Sequence, residues 1–388
     1  MLKKLSLAAL VAMGSMSVAS ASTDLSEAIK GVTIGGFLRY RGTEKNIKTD
    51  GNDNHVNTTT NEYKAVLNMN IKASDTMTVH SRLVYLDSFT SNNSADNGKP
   101  FVVQEAYLNY KANGLNVKAG RQAPVTPLTD HDDDYANGVL ASYTMSGITG
   151  VAAYFNEISN AGGNTKPGAT SQNLGVLAVV ADIKPVKVQA WYYNLSDTND
   201  KDDVKGKDGK DGYFIEAGAN VGPAAVKAQY ISAKGNADGA KRQKFFALAA
   251  TGKVDVASVT AAYLNFGKDG SNVTMGTKNA DKQIAAGDIL EDVIQQDGTN
   301  LQDGWGAALI ASAKFGAIKA GVQYVHATSD FVDGGQTTKL NEYDLDLAYA
   351  YTKKLNFSGY YAVLKTDVED SPADLTQNEF RFEAKYKF

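Results

Sequence analysis

Four aspartates lie close together in the short sequence TDHDDDY, at positions Asp130, Asp132, Asp133 and Asp134. Carboxylate oxygens bind calcium, which takes about six to eight such ligands, although this stretch lacks the EF-hand spacing with glycine at the sixth position. In an ordinary loop the same aspartates are simply hydrated. Two interpretations therefore stay open: a solvated acidic loop, and a cation-attracting site in which Asp130, Asp132 and Asp134 hold calcium.

Five basic side chains form a second candidate set, because each lies on the polar side of a segment in which apolar and polar residues alternate. They are Arg39, Arg41, Lys64, Arg82 and Arg381. If the last segment pairs with the first, these side chains share one wall. An alternative is a set of unrelated interior salt bridges, with Glu105 and Glu383 as the acidic partners.

Motifs of enzyme chemistry do not occur in the sequence. It contains no nucleophile elbow, H-E-x-x-H pair, phosphate loop or dinucleotide fingerprint. Of its four histidines, only His80 falls on the polar side of an alternating segment. We therefore expect no catalytic activity and no required cofactor.

The composition and the first residues indicate an exported protein. The chain has 39 basic and 43 acidic side chains, a formal net charge of −4 and no cysteine, so neither a nucleic-acid partner nor a disulfide framework is expected. Lys3 and Lys4 precede an apolar run and an Ala-Ser-Ala site, which predicts a signal peptide over 1–21. An N-terminal membrane anchor is the alternative, but the run is shorter than the roughly 20 residues that it needs.

From residue 30 onward the sequence repeats one unit: about ten alternating residues, a tight turn, about ten more, and a long polar loop. The final stretch, EFRFEAKYKF, places four aromatic residues on one side and five charges on the other. Period-two alternation is typical of a strand with water on one face and an apolar medium on the other. About eighteen such strands are expected over 22–388.

The tight turns and the long loops fall on opposite ends of these strands. In hydrocarbon every backbone polar group must be paired, so a sheet spans a bilayer only when it closes on itself. The pattern therefore predicts an all-β fold, a transmembrane antiparallel up-and-down β-barrel in the bacterial outer membrane. A secreted sandwich or repeat protein is the alternative.

The residues of one region carry a family resemblance. Ala106-Tyr107-Leu108, Gly120-Arg121-Gln122 and Thr126-Pro127-Leu128 resemble the strand and third-loop region of the major outer membrane porins of campylobacters, which are similar to OprD-like porins. The resemblance implies a homotrimer of water-filled barrels, in contact with lipid and lipopolysaccharide, that passes ions and small hydrophilic solutes. It also implies a third loop, near 121–138, that folds inward and narrows the pore.

Given that resemblance, the four aspartates would line the constriction opposite the basic wall and favour cations. No basic residue follows Asp134 directly, and Tyr135 stands there instead. Two other functions stay open: a substrate-selective channel for organic acids or peptides, and an adhesive or structural barrel. In the loop near 267–303, Ile284, Ile289, Val293 and Ile294 predict a short amphipathic helix on the rim of the barrel.

Overall fold

The computed structural model describes most of the predicted barrel. The residues described are 31–49, 55–91, 101–132, 134–160, 172–197, 209–271, 273, 275, 282–291, 301–331, 337–369 and 374–388. The predicted signal peptide, residues 1–21, lies outside these ranges and stays a prediction.

Eighteen β-strands make up the described structure. They are β1 (Val32–Thr49), β2 (His55–Lys72), β3 (Met77–Thr90), β4 (Val102–Ala112), β5 (Leu115–Gln122), β6 (Asp134–Met145), β7 (Ile148–Asn160), β8 (Gln172–Ile183), β9 (Val186–Asp197), β10 (Lys210–Val221), β11 (Ala224–Gly235), β12 (Arg242–Val254), β13 (Ala257–Phe266), β14 (Leu301–Phe315), β15 (Ile318–Phe331), β16 (Thr337–Ala350), β17 (Leu355–Val368) and β18 (Leu375–Lys387).

The strands form one closed antiparallel sheet. Each strand pairs with its neighbours in sequence, and β18 pairs with β1 over the register from Phe37–Lys387 to Thr49–Leu375. Closure pairs the backbone groups at both edges, as a bilayer-spanning sheet requires. The predicted barrel and its strand number are confirmed.

Alternation assigns the two faces of each strand. On β16, Tyr343, Leu345 and Leu347 are 48 %, 57 % and 57 % exposed, whereas the alternate residues Glu342 and Asp344 are buried. The exposed apolar side chains cover the outside of the barrel, and the intervening ones point into the lumen. Within the described ranges, no helix has the length and apolar composition needed to cross a membrane.

Tight turns connect the strands at one end of the barrel. Asn113 and Gly114 have φ of 49° and 81°, and Ser146 and Gly147 have 51° and 81°. Two-residue hairpins of this kind need positive φ at both central positions, which Asn-Gly adopts readily. The turns that follow β12 and β14 are likewise two residues long, Asp255-Val256 and Gly316-Ala317.

An apolar core fills part of the lumen towards the end where the long loops emerge. Its larger members include Phe155, Tyr193, Phe214, Phe245, Leu264 and Val325 from the inner faces of β7 to β15. Leu128, Met275, Ile289 and Leu290, which lie in loop segments, belong to the same cluster. The long loops therefore cover an apolar inner wall.

The seam of the barrel depends on a residue without a side chain. Gly36 and Phe388 exchange backbone hydrogen bonds of 3.2 and 3.1 Å. A Cβ atom at position 36 would collide with the carbonyl oxygen of Val66 and would lie 2.9 Å from the Phe388 ring. Gly36 therefore allows the end of the chain to close against β1.

Replacing Gly36 by alanine should destabilise this seam by about 1–3 kcal/mol, the usual cost of overpacking. Denaturant unfolding, followed by the heat-modifiable electrophoretic mobility of the barrel, measures the loss. Gly150→Ala is the matched control, because a Cβ there has no heavy atom within 4 Å. Equal midpoints for the two variants would contradict the role given to Gly36.

Candidate functional site

Two of the third-loop aspartates hold the loop together. The Asp134 carboxylate is fully buried and accepts a 2.9 Å hydrogen bond from the Asp130 amide. The Asp130 carboxylate in turn accepts one of 2.9 Å from the Asp132 amide. Asp133 lies outside the described residues. Of the three described carboxylates, Asp132 is therefore the most open to the lumen, with its side chain 63 % exposed.

Asp132 connects the third loop to the barrel wall. Its carboxylate lies 3.5 Å from the Arg82 guanidinium, and its carbonyl oxygen accepts a 2.8 Å hydrogen bond from Gln104. Arg82 also donates to Gln104 over 2.6 Å and lies 3.9 Å from Glu105. Arg82 thus lies between the acidic loop and Glu105, the acid named in the salt-bridge alternative.

The other predicted basic residues meet across the seam. Arg39 lies opposite Lys64 on β2, and Arg41 lies opposite Glu383 on β18. Arg381 is two positions along the same face of β18 from Glu383. The register therefore brings all four basic residues onto one wall formed by β18, β1 and β2.

Each arginine of this wall has a carboxylate partner. Arg39 pairs with Glu62 and lies 3.8 Å from Glu383. Arg41 binds Glu383 at 2.8 Å, and Arg381 binds Glu379 at 3.0 Å. Lys64 is buried between them. The wall is thus a ladder of ion pairs with both signs of charge.

An acidic group that the sequence reading did not single out lies on the opposite side of the seam. Glu342, Asp344 and Asp346 share the inner face of β16, and Asp288 of the seventh loop interacts electrostatically with all three. Neither oxygen of Asp344 accepts a hydrogen bond from the described residues. The signal was present, since E-x-D-x-D in an alternating strand places three acids on one face.

The seventh loop is predicted to lie on the rim of the barrel, but residues 282–291 of it pack inside the barrel. Its described part 282–291, here called the strap, has Ile289 and Leu290 buried in the lumenal core. Only Leu290 and Glu291 are helical within the strap. Val293 and Ile294 of the predicted helix lie outside the described residues. The apolar inner faces of β7 to β15 explain the inward path, because they require cover.

A polar cavity of about 420 Å³ lies on the inner faces of β14 to β18 and β1. Its charged and amide lining residues are Arg41, Lys319, Gln323, Asp346, Arg381 and Glu383. Among the described residues, no group of three or more histidines or acids is arranged to hold a metal ion. Calcium at Asp130, Asp132 and Asp134 stays a prediction.

Comparison with protein families matches residues 1–388 to the model described as the Campylobacter major outer membrane protein. The chain belongs to this family. The match covers the whole chain and includes the region of the resemblance noted above. The protein is therefore an outer-membrane barrel of the Campylobacter major outer membrane protein family.

Several solved structures are similar to this protein. Their sequence identities to it are low, so the similarity shows the fold alone. OccK7 (OpdD) of Pseudomonas aeruginosa has a TM-score of 0.67 and 12 % identity, over 92 % of this chain and 99 % of that one. OpdQ of the same organism has a TM-score of 0.67 and 14 % identity, over 92 % of this chain and 98 % of that one. OccAB4 of Acinetobacter baumannii has a TM-score of 0.64 and 15 % identity, over 92 % of this chain and 98 % of that one. A comparison with curated proteins gives no match.

Burial and the neighbouring Asp346 and Glu342 raise the pKa of Asp288, in the loop of this outer-membrane barrel, from 3.8 to about 7. Docking of the strap therefore takes up a proton. Protonation of Asp288 therefore stabilises the docked strap. This contribution is complete below about pH 4, the ordinary pKa of the group, and is lost as the pH rises through 7. The charged and titratable groups acting with Asp288 are Glu291 of the strap, Glu342, Asp344 and Asp346 of β16, Tyr360 of β17 and Arg381 of β18.

We expect the strap to exchange its amide hydrogens increasingly fast, relative to an Asp288→Asn variant, as the pH rises from 4 to 8. Hydrogen exchange read by mass spectrometry on peptides covering 282–291 measures this ratio. Because both proteins are compared at each pH, the intrinsic pH dependence of exchange cancels. A ratio independent of pH would contradict the proton uptake assigned to Asp288.

Proposed function

We propose that this outer-membrane protein is a porin that passes ions and small hydrophilic solutes by passive diffusion and prefers cations, without any turnover chemistry. The observation that carries the preference is the excess of carboxylates on one side of the lumen. The arginines of the β18–β1–β2 wall already have acidic partners at 2.8 to 3.8 Å. Of the acids on the other side of the seam, Asp288 has Arg381 acting on it, and Arg381 already pairs with Glu379.

An excess of carboxylates beside a narrow aqueous path favours cations for a physical reason. Low-dielectric walls focus the field, so that a cation enters at a lower free energy than an anion of the same size. Asp132 of the third loop adds a more exposed negative charge beside Arg82. The arrangement expected from the sequence, with third-loop aspartates opposite the basic wall, is kept in the proposal, and Asp346 of β16 is added to the acidic groups.

Planar-bilayer recordings in a salt gradient test this proposal. The reversal potential of the wild type should have the sign of cation preference, and Asp346→Asn should move it towards zero. Asp132→Asn should give a smaller shift in the same direction. Asp75→Asn is the control, because Asp75 is exposed in a tight turn beside Lys72. An unchanged reversal potential in the β16 variant would contradict the assignment.

A substrate-selective channel for organic acids or peptides is the second candidate, and the polar cavity favours it. Arg41, Lys319 and Arg381 present three cations on its lining, and OpdK of Pseudomonas aeruginosa, with a TM-score of 0.65, was crystallised with vanillate. Saturable block of the ionic current by vanillate would favour this candidate over general diffusion. Absence of any conductance would instead favour an adhesive or structural barrel.

A homotrimer, contacts with lipopolysaccharide and calcium in the third loop belong to the same proposal as expectations from the sequence. Analytical ultracentrifugation in detergent tests the trimer. Calcium titration of the reversal potential, with Asp130→Asn as the comparison, tests the metal.

A further inference from the structure

One side chain of β11 binds the first part of the strap. The Gln229 amide donates to the Lys282 carbonyl oxygen at 2.5 Å and accepts from the Ile284 amide at 2.7 Å. It also donates to the Glu216 carboxylate at 2.6 Å. Gln229 is 1 % exposed. Both ends of its amide are therefore used, and Glu216 fixes the orientation in which they meet the strap.

One side chain of β16 binds the other part of the strap. The Glu342 carboxylate accepts hydrogen bonds from the Ile289 and Leu290 amides at 2.7 and 2.6 Å. Each of the two carboxyl oxygens accepts one of two consecutive amides, so Glu342 holds this part of the strap at two adjacent points. Gly287 leaves room for this contact, because its Cβ would lie 2.5 Å from a Glu342 oxygen.

The strap also touches the third loop. The Lys282 amide donates to the Pro127 carbonyl oxygen at 3.1 Å, and the Met275 amide donates to that of Leu128 at 2.9 Å. Leu128, Met275 and Leu290 are buried in the same apolar cluster. The two loops therefore form one body inside the barrel, and the strap connects it to walls five strands apart.

We propose that Gln229 and Glu342 are positioning residues that fix the strap across the lumen and thereby set the cross-section of the channel. This inference rests on the proposed function, because it concerns the same pathway. Glu342 contributes as an acceptor for two amides. Asp344 lies on the same face of β16 but bonds no strap amide in the described structure. Glu342 therefore differs from it in making the contact that holds the strap.

The absence of cysteine from the chain allows a direct test of anchoring. Ala286→Cys places one thiol in the strap at a position only 3 % exposed, where a bulky maleimide should react slowly with the folded barrel. Adding Glu342→Ala or Gln229→Ala should speed labelling roughly tenfold, the factor that corresponds to about 1.4 kcal/mol. Adding Gln189→Ala should not, because Gln189 binds Glu216 at 2.9 Å and no strap atom in the described structure.

Two further variants cover the case in which Glu342→Ala does not fold. Glu342→Gln keeps the side-chain volume and one acceptor oxygen, so it should label at an intermediate rate. Gly287→Ala disturbs the same contact from the strap side and should behave similarly. Heat-modifiable mobility identifies the folded fraction of each. Folded variants that all label at the parent rate would overturn the proposal.

Single-channel recording tests the effect on the channel. Glu342→Ala and Gln229→Ala should raise the conductance step and add fast fluctuations, whereas Asp346→Asn should shift the reversal potential without enlarging the step. Faster labelling with an unchanged step in the two anchor variants would overturn the link to cross-section. If the parent barrel forms no channel, the proposed function fails, while the labelling result still decides whether the two residues anchor the strap.

Discussion

The closure of the sheet is the constraint on which the other features depend. Hydrocarbon offers no hydrogen bonds to backbone groups, so the first and last strands must pair with each other. Their register brings Arg39, Arg41 and Arg381 to one wall. It also seats Phe388 against Gly36. The inner surface of a barrel closed in this way must be either hydrated or covered by other parts of the chain. In this protein one part of the surface is polar and another part is covered by loops.

The division of that inner surface follows from side-chain chemistry. From β7 to β15, large apolar side chains such as Phe155, Tyr193 and Phe245 point inward near the loop-rich end. Hydration of this surface is unfavourable, so the third loop and the strap cover it. Around the seam, the inward residues are charged and form ion pairs. The remaining polar sector, which contains the polar cavity near the seam, is the one where water and ions would pass.

Much of the fold follows from the sequence, because alternation and turn chemistry are local. Phe380 and Phe382 fall outside and Arg381 inside, as EFRFEAKYKF indicates, and closure then groups the arginines without further information. The burial of Asp134 is not local, since it depends on how the loop bonds to itself. The position of the strap is not local either. Ile284 and Ile289 indicate an apolar face, but only the inner faces of distant strands decide what that face packs against.

The central claim is that the permeable part of the lumen is the polar sector and that the two loops seal the rest. Cysteine substitution at two inward positions tests it most directly: Ser358, which lines the polar cavity, and Ala247, which is buried in the apolar core. A charged thiol reagent applied during single-channel recording should reduce the current through Ser358→Cys and leave Ala247→Cys unaffected. Equal modification of Ala247→Cys, with loss of current, would contradict the account.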